Sequence, residues 1–104
     1  MSNFMLAYKG GGMPESEADR QAAMAAWGAW FGGLGASVVD GGNPFGPSAT
    51  VGAGGAVGGS ASSNLTGYTI LTAGSLDEAT EMAKGCPILS DGGDVEVYEI
   101  IPAM

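Results

Sequence analysis

Three extended runs in this chain carry apolar residues on both of their faces. Strand alternation sets Phe4, Leu6 and Tyr8 against Met5 and Ala7, Tyr68 and Ile70 against Leu71 and Ala73, and Val95, Val97 and Ile101 against Tyr98 and Ile100. A sheet with one wet face alternates apolar with polar, so a sheet made of these runs needs cover on both sides. Only two helical patterns are available, and two helices roof one face. The other roof is expected from an identical partner, giving a two-fold dimer with sheets face to face. At about 25 cal/mol per Å², several hundred Å² of such surface amounts to on the order of 10 kcal/mol of burial before association costs.

The rest of the chain supplies the pieces in order. The first strand, Asn3 to Lys9, closes at Gly10, Gly11 and Gly12, and Pro14 leads into a helix. Ser16 with Asp19 reads as a capping-box start, and Glu15, Glu17 and Asp19 put negative charge where the helix dipole favours it. Met24, Trp27, Phe31 and Leu34 form one stripe with Trp30 beside it, a spacing that reads as core rather than as a cofactor box, and Gly35 is a natural stop. Gly28 and Gly32 each weaken a helix by about 1 kcal/mol relative to alanine, which suggests that another backbone approaches there. Ala36 to Asp40 reads as the second strand, expected to pair as a hairpin with an extended stretch at Ser48 to Val51, and Gly52 to Ser63 reads as a flexible connection. Gly67 to Ala73 is the clearest strand. Ser75 and Glu78 form a second capping box before a helix over Leu76 to Lys84, with Leu76, Ala79 and Ala83 on one side and Met82 beside them. It ends at Gly85 before Pro87, and Val95 to Ile101 makes the last strand. The order β-α-β-β-α-β within one domain of 104 residues predicts an α+β fold, the ferredoxin-like plait with two helices on one face of an antiparallel sheet.

Charge narrows the partners. With a formal charge of −8 and only Lys9, Arg20 and Lys84 as basic residues, the chain cannot neutralise phosphates, so neither nucleic acid nor an anionic membrane surface is expected. The stretch from Gln21 to Val39 is uncharged and long enough to span a bilayer, but its four glycines and acidic flanks argue against the membrane. There is no histidine, and Cys86 is the only cysteine, so no intramolecular disulfide, no zinc site built on several thiolates and no histidine-based metal site can form. Asp91, Asp94, Glu96 and Glu99 lack calcium-loop spacing and read as solvated surface, and no metal or cofactor is expected. The start of the chain lacks the basic region of a signal peptide, and a reducing cytoplasm is the expected location. Asn64-Leu65-Thr66 matches a glycosylation acceptor but reads as a polar turn.

The candidate site is the stretch from Val38 to Ser48, where an apolar strand enters a polar loop with Asp40 at its end, Gly41 and Gly42 next, and Pro44 and Pro47 at the exit. Tyr8, Trp27, Trp30, Phe45 and Tyr68 would enclose a small neutral or apolar molecule in a cleft beside it, with Asn43 and Ser48 orienting it. Asp40 could serve there as a general acid or base. The alternative is that it caps its own glycine turn through an Asx-type hydrogen bond, which strand-end aspartates do more often than chemistry. A third reading is a non-catalytic dimer that binds a protein partner through the glycine-rich stretch or the prolines. Cys86 has no histidine to activate it and reads as a buried small residue, and the glycine-rich stretch lacks the ending of a phosphate-binding loop.

Met-Ala-Ala-Trp in the first helix, Val-Val-Asp-Gly-Gly-Asn-Pro-Phe-Gly in the loop, Gly-Tyr-Thr-Ile-Leu before the second helix, then Cys-Pro-Ile-Leu and Gly-Gly-Asp-Val-Glu-Val-Tyr-Glu-Ile together resemble the YCII-related (DGPF-domain) family over nearly the whole chain. The resemblance implies a dimeric α+β barrel of ferredoxin-like subunits. It also implies a role for Asp40, since a histidine and aspartate pair has been proposed as the active site in some members. This sequence holds no histidine to complete that pair.

Overall fold

The structure is a computed structural model that describes residues 1–11 and 16–103. The expectations placed on Gly12, Pro14 and Glu15 lie outside the described residues. Strand β1 (Ser2–Lys9) is followed by helix α1 (Glu17–Leu34), strand β2 (Val38–Asp40), strand β3 (Leu65–Ala73), helix α2 (Leu76–Ala83) and strand β4 (Asp94–Ile100). The strands form one antiparallel sheet in the order β2-β3-β1-β4. The fold is therefore the ferredoxin-like plait, the subunit architecture of α+β barrels.

Both helix starts form as their sequences require. The Ser16 hydroxyl accepts the Asp19 N–H at 3.1 Å, and the Ser75 hydroxyl accepts the Glu78 N–H at 3.1 Å while Glu78 reaches back to the Gly74 N–H. Helix α1 stops at Gly35, whose φ of +56° suits glycine best.

Strand register sorts the two faces. Phe4 lies opposite Leu71, Leu6 lies between Thr69 and Val97, and Tyr8 lies between Gly67 and Val95. These face the helices, and the core is built from Phe4, Leu6, Tyr8, Leu71, Ala73, Ala79, Ala83, Cys86 and Ile88. Met5, Ala7, Tyr68, Ile70, Tyr98 and Ile100 alternate with them and occupy the face without helices. Tyr98 is 54% exposed there. The chain exposes 6614 Å², against roughly 5,300 Å² for a compact monomer of its mass. Its radius of gyration is 15.2 Å, against about 13 Å for a compact domain of this length.

Several expectations need correction. Strand β2 is only three residues long, because Gly35–Ser37 forms a 3-10 turn first. Its partner is β3, not the stretch at Ser48 to Val51. Nine residues rich in β-branched and aromatic side chains offer β2 a better pleated surface than Ser-Ala-Thr-Val, which has one large apolar side chain. Val51 instead bridges to Val57, and Thr50 and Gly52 exchange backbone hydrogen bonds with Gly58, Gly59 and Ala56. The stretch read as a flexible connection therefore carries a small β-arm turning at Gly54 and Gly55. Among the described residues of this chain, nothing lies within 4 Å of where a β-carbon at Gly28 or Gly32 would sit. Ile101 falls beyond β4 and is exposed.

Candidate functional site

The loop after β2 is an edge segment of the sheet with a bulge in it. Asp40 is opposite Ile70, the chain steps out at Gly41 and Gly42, and Pro44 and Phe45 return alongside Gly67 and Thr66. Gly42 has φ +77°, and a β-carbon there would collide with the Tyr68 carbonyl, so this approach is open to glycine alone.

Adjacent residues of β3 pin the bulge from opposite faces. On the face without helices, the Tyr68 hydroxyl donates to Asp40 Oδ2 at 3.2 Å, and Asp40 Oδ1 accepts the Gly42 N–H at 2.9 Å. On the helix face, the Thr69 hydroxyl donates to the Gly41 carbonyl at 2.9 Å and accepts the Tyr8 hydroxyl at 2.6 Å. Thr69 is completely buried and Tyr8 is 5% exposed. Gly67, opposite Tyr8, leaves room for its ring.

Between this bulge and α1 lies a cleft of about 330 Å³. Trp27, Phe31, Pro44 and Ile88 supply apolar walls, Tyr8 and Thr69 a polar patch, and Gly41, Gly42, Asn43, Thr66, Gly67 and Tyr68 the remaining side. Trp27 meets Tyr8 edge-on with ring centroids 5.3 Å apart, which orients both rings. No charged residue lines the cleft among the described residues. Burial pushes the Tyr8 phenol well above its ordinary value, and burial likewise raises the Cys86 thiol beside it, so neither is ready to supply an anion. A larger and shallower depression lies between α1 and the Pro87–Asp91 turn, and its lining includes the charged residues Asp19, Lys84 and Asp91.

Of the residues singled out in the sequence, the cleft brings together Tyr8, Trp27, Asn43 and Tyr68. Trp30 lies outside it: its indole N–H donates to the Met82 carbonyl at 3.1 Å and ties α1 to the end of α2. Phe45 stacks on Tyr68 with centroids 5.7 Å apart. The Ser48 hydroxyl accepts the Ala61 N–H within the arm. Asp40 is not among the lining residues, and both its carboxylate oxygens are engaged by the bulge. Phe31 and Thr69 complete the cleft unforeseen. Thr69 carried a signal, as the one hydroxyl among the positions that alternate with Gly67, Leu71 and Ala73 on the helix-facing side of β3.

No family model matches the chain, and no curated protein matches it either. Among solved structures there is a match over almost the full length. The chain is similar to the 5-chloro-2-hydroxyhydroquinone dehydrochlorinase TftG from Burkholderia phenoliruptrix AC1100, solved in complex with 2,5-dihydroxybenzoquinone. The two are 27% identical, the match covers 94% of this chain and 93% of that one, and the TM-score is 0.54. Among the described residues, no helix is long and apolar enough to cross a membrane.

Proposed function

We propose that this protein binds a small, uncharged aromatic or apolar molecule in the cleft between α1 and the β2–β3 edge, as a two-fold dimer of the YCII-related type. The observation that carries the reading is the cleft itself: it has the volume for a single substituted ring, aromatic walls and no charged lining residue. An uncharged lining leaves an ionised ligand without a counter-charge, so a neutral one is favoured. The similar structure is that of a protein complexed with 2,5-dihydroxybenzoquinone, which supports a ligand of one-ring size. The dimer is supported by the apolar face without helices and by an exposed area larger than a compact monomer should have.

That the similar protein is named as an enzyme favours a second reading, catalysis in the same cleft. It ranks behind binding because Asp40 is turned to the bulge and the lining holds no charged group. A thermal-shift screen of phenols, hydroquinones and neutral aliphatic compounds tests the first reading. One-ring aromatics should raise the melting temperature and quench Trp27 fluorescence, and Asp40→Asn should respond as wild type does. If no compound shifts wild type, the pocket reading falls. If wild type binds and Asp40→Asn does not, the catalytic reading moves ahead. Light scattering at micromolar concentration should give a dimer, and a single monomeric species would remove that part.

A further inference from the structure

The hydrogen-bond chain Tyr8–Thr69–Gly41 has a direction set by stoichiometry. The Gly41 carbonyl can only accept, so the single proton of the Thr69 hydroxyl is committed to it at 2.9 Å. Thr69 then has no proton left for Tyr8, and the 2.6 Å contact between their oxygens must be made by the Tyr8 proton. Both hydroxyl protons at the buried polar patch are therefore committed within the protein, and neither is left to donate to a ligand. What the pair can offer a ligand is a lone pair of the Tyr8 oxygen, on a residue that lines the cleft. A ligand carbonyl brought to this patch meets acceptors and loses its water without replacement, whereas a ligand hydroxyl finds a partner.

We propose that the cleft selects a hydrogen-bond donor: its ligand is an uncharged aromatic hydroxyl compound whose O–H donates to Tyr8 Oη, and aromatic ethers or ketones of the same size are rejected. The inference rests on the cleft being the ligand site. Asn43, with both donor and acceptor atoms on its exposed amide, does not discriminate between these ligands. The selection therefore comes from the buried hydroxyl pair.

The test is a titration of wild type with 4-methylphenol, 4-methylanisole and acetophenone, followed by tryptophan fluorescence. The phenol should bind about tenfold more tightly than either of the others, the equivalent of one buried hydrogen bond. Thr69→Val removes the acceptor of the Tyr8 proton and frees it to donate into the cleft, so acetophenone should gain and the preference for phenol should narrow or invert. Thr69→Ser keeps the chain and should keep the preference, while Tyr8→Phe should drop the phenol to the affinity of its methyl ether. Equal binding of all three probes to wild type, or a preference untouched by both Thr69→Val and Tyr8→Phe, overturns the donor selection and leaves the cleft as a site. Failure of all three probes to bind wild type overturns the cleft reading and this inference with it.

Discussion

The two helices occupy equivalent places in the plait and meet the sheet in opposite ways. Helix α2 presents Ala79 and Ala83, both buried, and lies close enough to β1 and β3 to seal Phe4 and Ala73 beneath it. Helix α1 has no buried residue and touches the core through half-buried Trp27, Trp30 and Leu34. Small side chains bring one helix into contact and give a core. Large rings hold the other away, and the space under them is the cleft.

The largest test of that contrast compares two phenylalanines. Phe4→Ala, beneath α2, should cost about 3–5 kcal/mol in denaturant unfolding. Phe31→Ala, on α1, should cost about 1 kcal/mol because the ring is only partly removed from water, yet it should abolish binding of aromatic ligands. Equal costs would mean that α1 is covered like α2. A smaller effect is expected from changes in helix side-chain size. Ala79→Leu should destabilise by about 1–3 kcal/mol through overpacking. Gly28→Ala or Gly32→Ala, where a β-carbon meets nothing within 4 Å, should instead stabilise by up to about 1 kcal/mol. Destabilisation at those glycines would reveal a second chain against α1.

The smallest effect is on the pH profile. Burial raises the Cys86 thiol and the Tyr8 phenol above their unfolded values, so the folded state holds these protons more tightly. The stability this contributes is fully present below about pH 9, the ordinary thiol value, and is lost as pH rises through the folded values. Urea unfolding midpoints should fall from pH 9 upward, and Cys86→Ala should flatten the first part of that fall. A profile unchanged by the substitution would place the thiol in contact with water.

Much of the fold was legible because its signals are local. Ser16 and Ser75 mark their helices through bonds to residues three positions on, and Gly35 stops α1 by its own backbone angle. The alternation in β1, β3 and β4 put each side chain on the face it occupies. The pairing of β2 was misread because register with β3 depends on residues some thirty positions away along the chain. Asp40 shows both kinds of signal. Its bond from the Gly42 N–H is the local Asx-type turn that the sequence offered, while its second partner, the Tyr68 hydroxyl, is 28 residues distant.

The amino-acid order alone determined where both helices start, which faces of β1, β3 and β4 are apolar, and that the chain carries no histidine. These follow from periodicity, capping and composition, which need no knowledge of what lies across the molecule. Only the tertiary structure decided that α1 stands off the sheet, that Tyr8, Thr69 and Gly41 are joined in one chain of hydrogen bonds, and that the Asp40 carboxylate is held by Gly42 and Tyr68. Such facts depend on distances between residues remote in the chain, and those distances exist only once the strands have paired.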